Sequence, residues 1–106
     1  MNVRATLAAA VLGSLLCQAA LAGPVIATKW RITGESRNEC MGHAQEAIKR
    51  AGFESAGSGS ESMMGRRGEY TAAVRCVTEQ RFVFFVVSGP SPGEANQLLE
   101  MIYRSF

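Results

Sequence analysis

Aspartate is absent from this 106-residue chain, and histidine occurs once, at His43. Those two gaps exclude whole classes of chemistry: Ser-His-Asp triads, two-histidine zinc motifs and EF-hand loops all need residues that are not there. Apolar runs are short as well. The longest, Leu7 to Leu16, falls well below the ~20 residues a membrane-spanning helix requires. Charge of one sign is also missing in excess, with eleven Lys plus Arg set against nine Glu. So even a balance gives no strongly basic surface, and no nucleic-acid partner is expected. Cysteine is limited to Cys17, Cys40 and Cys76.

What is present begins with a secretory signal. Arg4 supplies a positive start, Leu7 to Leu16 an apolar stretch, and Ala20-Leu21-Ala22 a small-residue end, which predicts cleavage after Ala22 and no stable membrane anchor afterwards. Leu16 stands where lipoprotein processing needs Gly, Ala or Ser, so Cys17 is expected to leave with residues 1–22. The remaining domain, 23–106, is expected to be periplasmic or secreted. At that size a hydrophobic core alone is marginal and a covalent staple is useful. In an oxidising compartment Cys40 and Cys76 have one possible pairing. It would close about 37 residues and contribute ~4 kcal/mol in the chain-entropy model.

The chain is organised around Glu69 to Ser88, read as two strands joined by a polar turn at Thr78-Glu79-Gln80. In the first strand Tyr70, Ala72, Val74 and Cys76 alternate with Thr71, Ala73, Arg75 and Val77. The second, Arg81 to Ser88, is apolar on both faces, as central strands are. Which of its rows meets the helices, Phe82/Phe84/Val86 or Val83/Phe85/Val87, is open. Val25 to Thr33 reads as an earlier strand with Ile26, Thr28, Trp30 and Ile32 on one face. Ser36-Arg37-Asn38-Glu39 is a capping box, and Cys40, Ala44, Ala47, Ile48 and Ala51 form a narrow helical face of small residues. Gly52 and Phe53 suit a Schellman ending. Glu54 to Ser62 is a Gly/Ser-rich connector, with a short strand at Met63-Met64. Ser91-Pro92-Gly93-Glu94 is a second capping box, opening a helix of Ala95, Leu98, Leu99, Ile102 and Phe106. Two short helices on one face of an antiparallel sheet of three or four strands give a two-layer α+β sandwich.

Gly68 to Cys76 (GEYTAAVRC), followed by Phe84 to Pro90 (FFVVSGP), resembles a pattern in a family of small uncharacterised exported, periplasmic bacterial proteins. The resemblance takes in Cys40 and the Ala51-Gly52-Phe53 helix end. It implies export and the disulfide, and it brings no activity.

Function is expected on the sheet face away from the helices. With both helices on the Tyr70/Val74 side, that face would carry Lys29, Arg31, Thr71, Ala73, Arg75, Val77 and one apolar row, Phe85 with Val83 and Val87 or Phe82 with Phe84 and Val86. Arg31, Arg75, Val77 and Phe85, with Arg66 and Arg67 beside them, make a candidate surface for a protein partner or for a second copy as a homodimer, Arg and aromatics being the usual anchors. The bland alternative is that the Glu54 to Arg67 connector covers it. Gly65-Arg66-Arg67-Gly68 also resembles the basic loop of certain RNA-binding modules, but such loops join two helices and this one leads into a strand, so a plain turn is expected. A rival reading centres on Cys40, Met41 and His43 with Cys76, Met63 and Met64: a soft-ligand set for copper, or a thiol nucleophile. It needs free thiols, which the expected disulfide consumes. The expectation is therefore a non-enzymatic module with no cofactor.

Overall fold

The structure, a computed structural model, describes residues 23–106. The expected signal peptide and Cys17 lie outside the described residues. In chain order the elements are β1 (Val25–Ile32), α1 (Arg37–Arg50), β2 (Glu54–Ser58), β3 (Ser62–Arg67), β4 (Tyr70–Val77), β5 (Phe82–Gly89) and α2 (Pro92–Ser105). The strands form one sheet in the order β1-β5-β4-β3-β2, antiparallel throughout. This is the expected two-layer α+β architecture, with five strands.

The fifth strand comes from the segment read as a connector. Glu54 to Ser58 pairs with β3 despite its poor strand composition, with a register shift between Ser55 and Gly57 and every residue exposed. It therefore lengthens the sheet at one edge and leaves the open face uncovered. The glycine-bracketed basic loop is likewise strand: Gly65, Arg66 and Arg67 lie in β3. The turn falls at Gly68, whose φ of 57° suits a residue without a Cβ.

Helix α1 is set by its ends. The Ser36 hydroxyl accepts from the Glu39 amide at 3.2 Å and donates to the Glu39 carboxylate at 2.9 Å. At the other end the Gly52 amide donates to the Lys49 carbonyl and the Phe53 amide to the Ile48 carbonyl, the two bonds of a Schellman ending. The second capping box does not form. No side chain caps α2 at Ser91; instead the Tyr70 hydroxyl accepts from the Ser91 amide at 3.2 Å and donates to Glu94 at 3.1 Å. The Tyr70 ring lies over Gly89, where a Cβ would fall 2.1 Å from it.

Both helices cover the same side. Cys40, Ala44, Ala47 and Ile48 of α1, and Ala95, Leu98, Leu99 and Ile102 of α2, pack on Tyr70, Ala72, Val74, Cys76, Val83, Phe85 and Val87. That settles the ambiguous strand: Val83, Phe85 and Val87 are fully buried, and Phe82, Phe84 and Val86 are the outer row. The small-residue face of α1 allows close approach. A Cβ on Gly65 would stand 2.5 Å from Ile48 Cγ2, so β3 and α1 touch without room for a methyl group. The Cys40–Cys76 disulfide joins α1 to β4 with its Cα atoms 6.1 Å apart.

Candidate interaction surface

Alternation along the strands places one set of side chains opposite the helices. On β1 these are Ile26, Thr28, Trp30 and Ile32, all exposed. Register then assembles rows across the sheet. Ile32 faces Phe82 and Phe82 faces Val77; Trp30 faces Phe84 and Phe84 faces Arg75; Thr28 faces Val86, then Ala73 and Met64. The exposed fractions of Ile26, Trp30 and Ile32 are 67%, 61% and 76%. Values that high on three large apolar residues of one strand separate this face from the ordinary scatter of surface hydrophobics.

From ~3.3 Å per residue and ~4.8 Å per strand, the four strands β1, β5, β4 and β3 present a face of about 500 Å² in plan. Most of it is apolar, which puts it within the size range of the largest patches on monomers, patches that are often functional. Charge enters at two places. The Arg75 guanidinium donates to Glu61 at 3.1 Å and to Ser62 at 3.3 Å, so its charge is balanced at the rim of the apolar rows. Arg66 sits opposite Glu54 in the β2–β3 register.

The sequence-derived surface residues divide between the two sides. Arg75, Val77 and Arg66 do occupy the open face. Phe85 does not: it is 0% exposed, because it belongs to the row that meets α2. Arg31 is also on the helix side, its guanidinium 5.1 Å from the Tyr103 ring centroid and 4.7 Å from that of Phe106. Lys29 lies 4.4 Å from the Tyr103 centroid and pairs with Glu100. The hydrogen bond from Lys29 holds the Glu100 carboxyl below the usual glutamate range. The physical reason for the reversal is that long cationic side chains lay their stems and heads along aromatic surface. The last turns of α2 supply such surface above β1. Arg67 is likewise structural, donating to the Ala51 carbonyl at 2.7 Å, where it completes the end of α1.

Sequence reasoning missed Ile26, Trp30 and Ile32 as part of the face, and left the Phe82/Phe84/Val86 row as one of two alternatives that the structure now decides. A signal for it existed: Lys29 and Arg31, two residues apart, match a pair of aromatics, Tyr103 and Phe106, at the end of the C-terminal helix.

The copper and thiol set does not assemble. Cys40 and Cys76 are bonded to each other and at most 1% exposed. Met63 packs against the core while Met64 is exposed, as neighbours on a strand must be. His43 pairs with Glu35 and meets the edge of the Phe106 ring at 5.8 Å. Among the described residues no group of three His, Cys, Asp or Glu side chains could hold a metal ion, and no helix is long and apolar enough to cross a membrane. No protein-family model and no curated protein matches this chain.

Proposed function

We propose that this chain is a small exported, non-enzymatic binding module that docks a protein partner on the open face of its sheet. The observation that carries this is the exposure of Ile26, Trp30 and Ile32 beside the Phe82/Phe84/Val86 row. Together they offer an apolar centre with aromatic anchors, and Arg75 stands at its margin, the composition typical of interface hot spots. A partner that covers this face removes from water a patch of the size that often marks an interaction site. Export to the periplasm or medium is supported by the buried disulfide, which persists in oxidising compartments.

The test is site-specific photocrosslinking in the producing cell, with the probe at Phe84 or, as control, at Gln97 on α2. A discrete adduct from Phe84 alone is expected, and Phe84→Asp should weaken capture of that partner by about 30-fold, the scale of one hot-spot residue. Adducts of equal strength from both positions, or undiminished capture by Phe84→Asp and Arg75→Glu, would refute the proposal.

A further inference from the structure

The two edges of the sheet are unlike. The β2 edge is short, polar and irregular, with Gly57 at φ 122° and all its residues exposed, which is how natural sheets discourage edge pairing. The β1 edge has eight residues in unbroken register with β5, and no described strand pairs with its outer side.

The Thr33 amide donates to the Arg81 carbonyl at 2.9 Å, which identifies the odd-numbered positions of β1 as the ones bonded to β5. By antiparallel alternation the amides and carbonyls of Ile26, Thr28, Trp30 and Ile32 point outward. Among the described residues, none of these four takes part in a main-chain bond outside the sheet. Outward main-chain groups with no partner among the described residues thus fall on the same four residues that carry the exposed Ile26, Trp30 and Ile32 side chains.

We infer that this edge pairs antiparallel with the β1 edge of a second copy of the chain, across a two-fold axis at Thr28. Charge selects the occupant's register. Centring on Thr28 sets Thr28 against Thr28 and Ile26 against Trp30 on the open face, with Ala27 against Lys29 and Val25 against Arg31 on the other. Threonine pairs and aromatic–β-branched pairs both favour pairing. Centring on Lys29 opposes the two lysines, and centring on Trp30 opposes Lys29 to Arg31; like charges directly opposite destabilise a ladder. Centring on Ala27 puts Pro24, which has no amide hydrogen, opposite Trp30 inside the ladder, whereas the Thr28 register moves it to the end of the ladder, opposite Ile32. The Thr28 register closes about six main-chain hydrogen bonds and joins two sheets into one ten-stranded platform. This goes beyond the docking proposal, because edge and face are separate surfaces: the pairing leaves Phe84 and Arg75 open and doubles the face.

Sedimentation of the purified, disulfide-intact protein over a range reaching about 1 mM should show a reversible monomer–dimer equilibrium. Thr28→Pro removes an outward amide from each copy, at a position whose amide the β1–β5 ladder does not use, and should weaken dimerisation about 30-fold. Thr28→Val, which keeps the amide, should leave it within about threefold. A monomer at every concentration overturns the inference. So does a dimer insensitive to Thr28→Pro but broken by Phe84→Asp, which would mean face-to-face packing. Independently of Thr28→Pro folding, Thr28→Cys should crosslink two copies under mild oxidation, since opposed hydrogen-bonded residues lie about 5.5 Å apart. Crosslinking by Lys29→Cys in its place refutes the register.

Discussion

Removing the disulfide is the most informative perturbation of the fold. Replacing Cys40 and Cys76 by alanine frees a segment with a sequence separation of 36, and the loop-closure entropy returned to the unfolded chain corresponds to ~4 kcal/mol. Because Cys40 is 0% and Cys76 1% exposed, the double variant also leaves unfilled volume between α1 and β4, which adds about 1 kcal/mol. At 0.05–0.15 kcal/mol per residue, a domain of this length has a total stability of roughly 4–13 kcal/mol. Loss of the bond should therefore consume between a third and all of it. The assay is urea unfolding followed by far-UV circular dichroism, comparing the double variant with the oxidised protein. A variant that unfolds cooperatively but about 4–5 kcal/mol less stable, or that is already unfolded in buffer, agrees with the calculation. A loss below about 1 kcal/mol would show that the unfolded chain gains little freedom when the link is cut, and the entropic account would fail.

Two further outcomes concern packing and charge. Gly65→Ala should destabilise the protein by about 1–3 kcal/mol in the same urea assay, because its new methyl would fall 2.5 Å from Ile48 Cγ2 and force α1 off the sheet; an unchanged midpoint would show that the contact yields freely. Glu100 has its folded pKa lowered by Lys29, so its stabilisation is complete above the ordinary glutamate range and is lost as pH falls through the depressed value. The stability difference between wild type and Glu100→Gln should accordingly be present at pH 7 and shrink by pH 3, and a difference equal at both would contradict the pairing.

How much of this was legible in the sequence differs by element. The β4–β5 hairpin and both helices follow from periodicity and end signals, because each such pattern has one low-cost conformation. Strand β2 was not legible. Glu54 to Ser58 has almost no intrinsic strand preference, and it is held by the ladder that β3 offers, a tertiary cause that no local window contains. The Ser91 cap failed for a similar reason, since Tyr70 reaches in from a distant strand to take both Ser91 and Glu94. The open face was located on the right sheet but with the wrong side of β1. Binary patterning assigns apolar residues inward, whereas here Lys29 and Arg31 lie over the aromatics of α2 and the apolar set faces water. The rule is overridden because the rings of Tyr103 and Phe106 give the two cationic side chains a surface to lie along.

Trp30 is the protein's one tryptophan, and it stands outside the core. An indole already in water changes its surroundings little when the chain unfolds, but it would be transferred into an apolar setting when a partner covers the sheet. Intrinsic fluorescence in this molecule is therefore an occupancy gauge rather than a folding gauge. A blue shift on adding a protein would report contact at the very residues proposed to make it, with no label introduced.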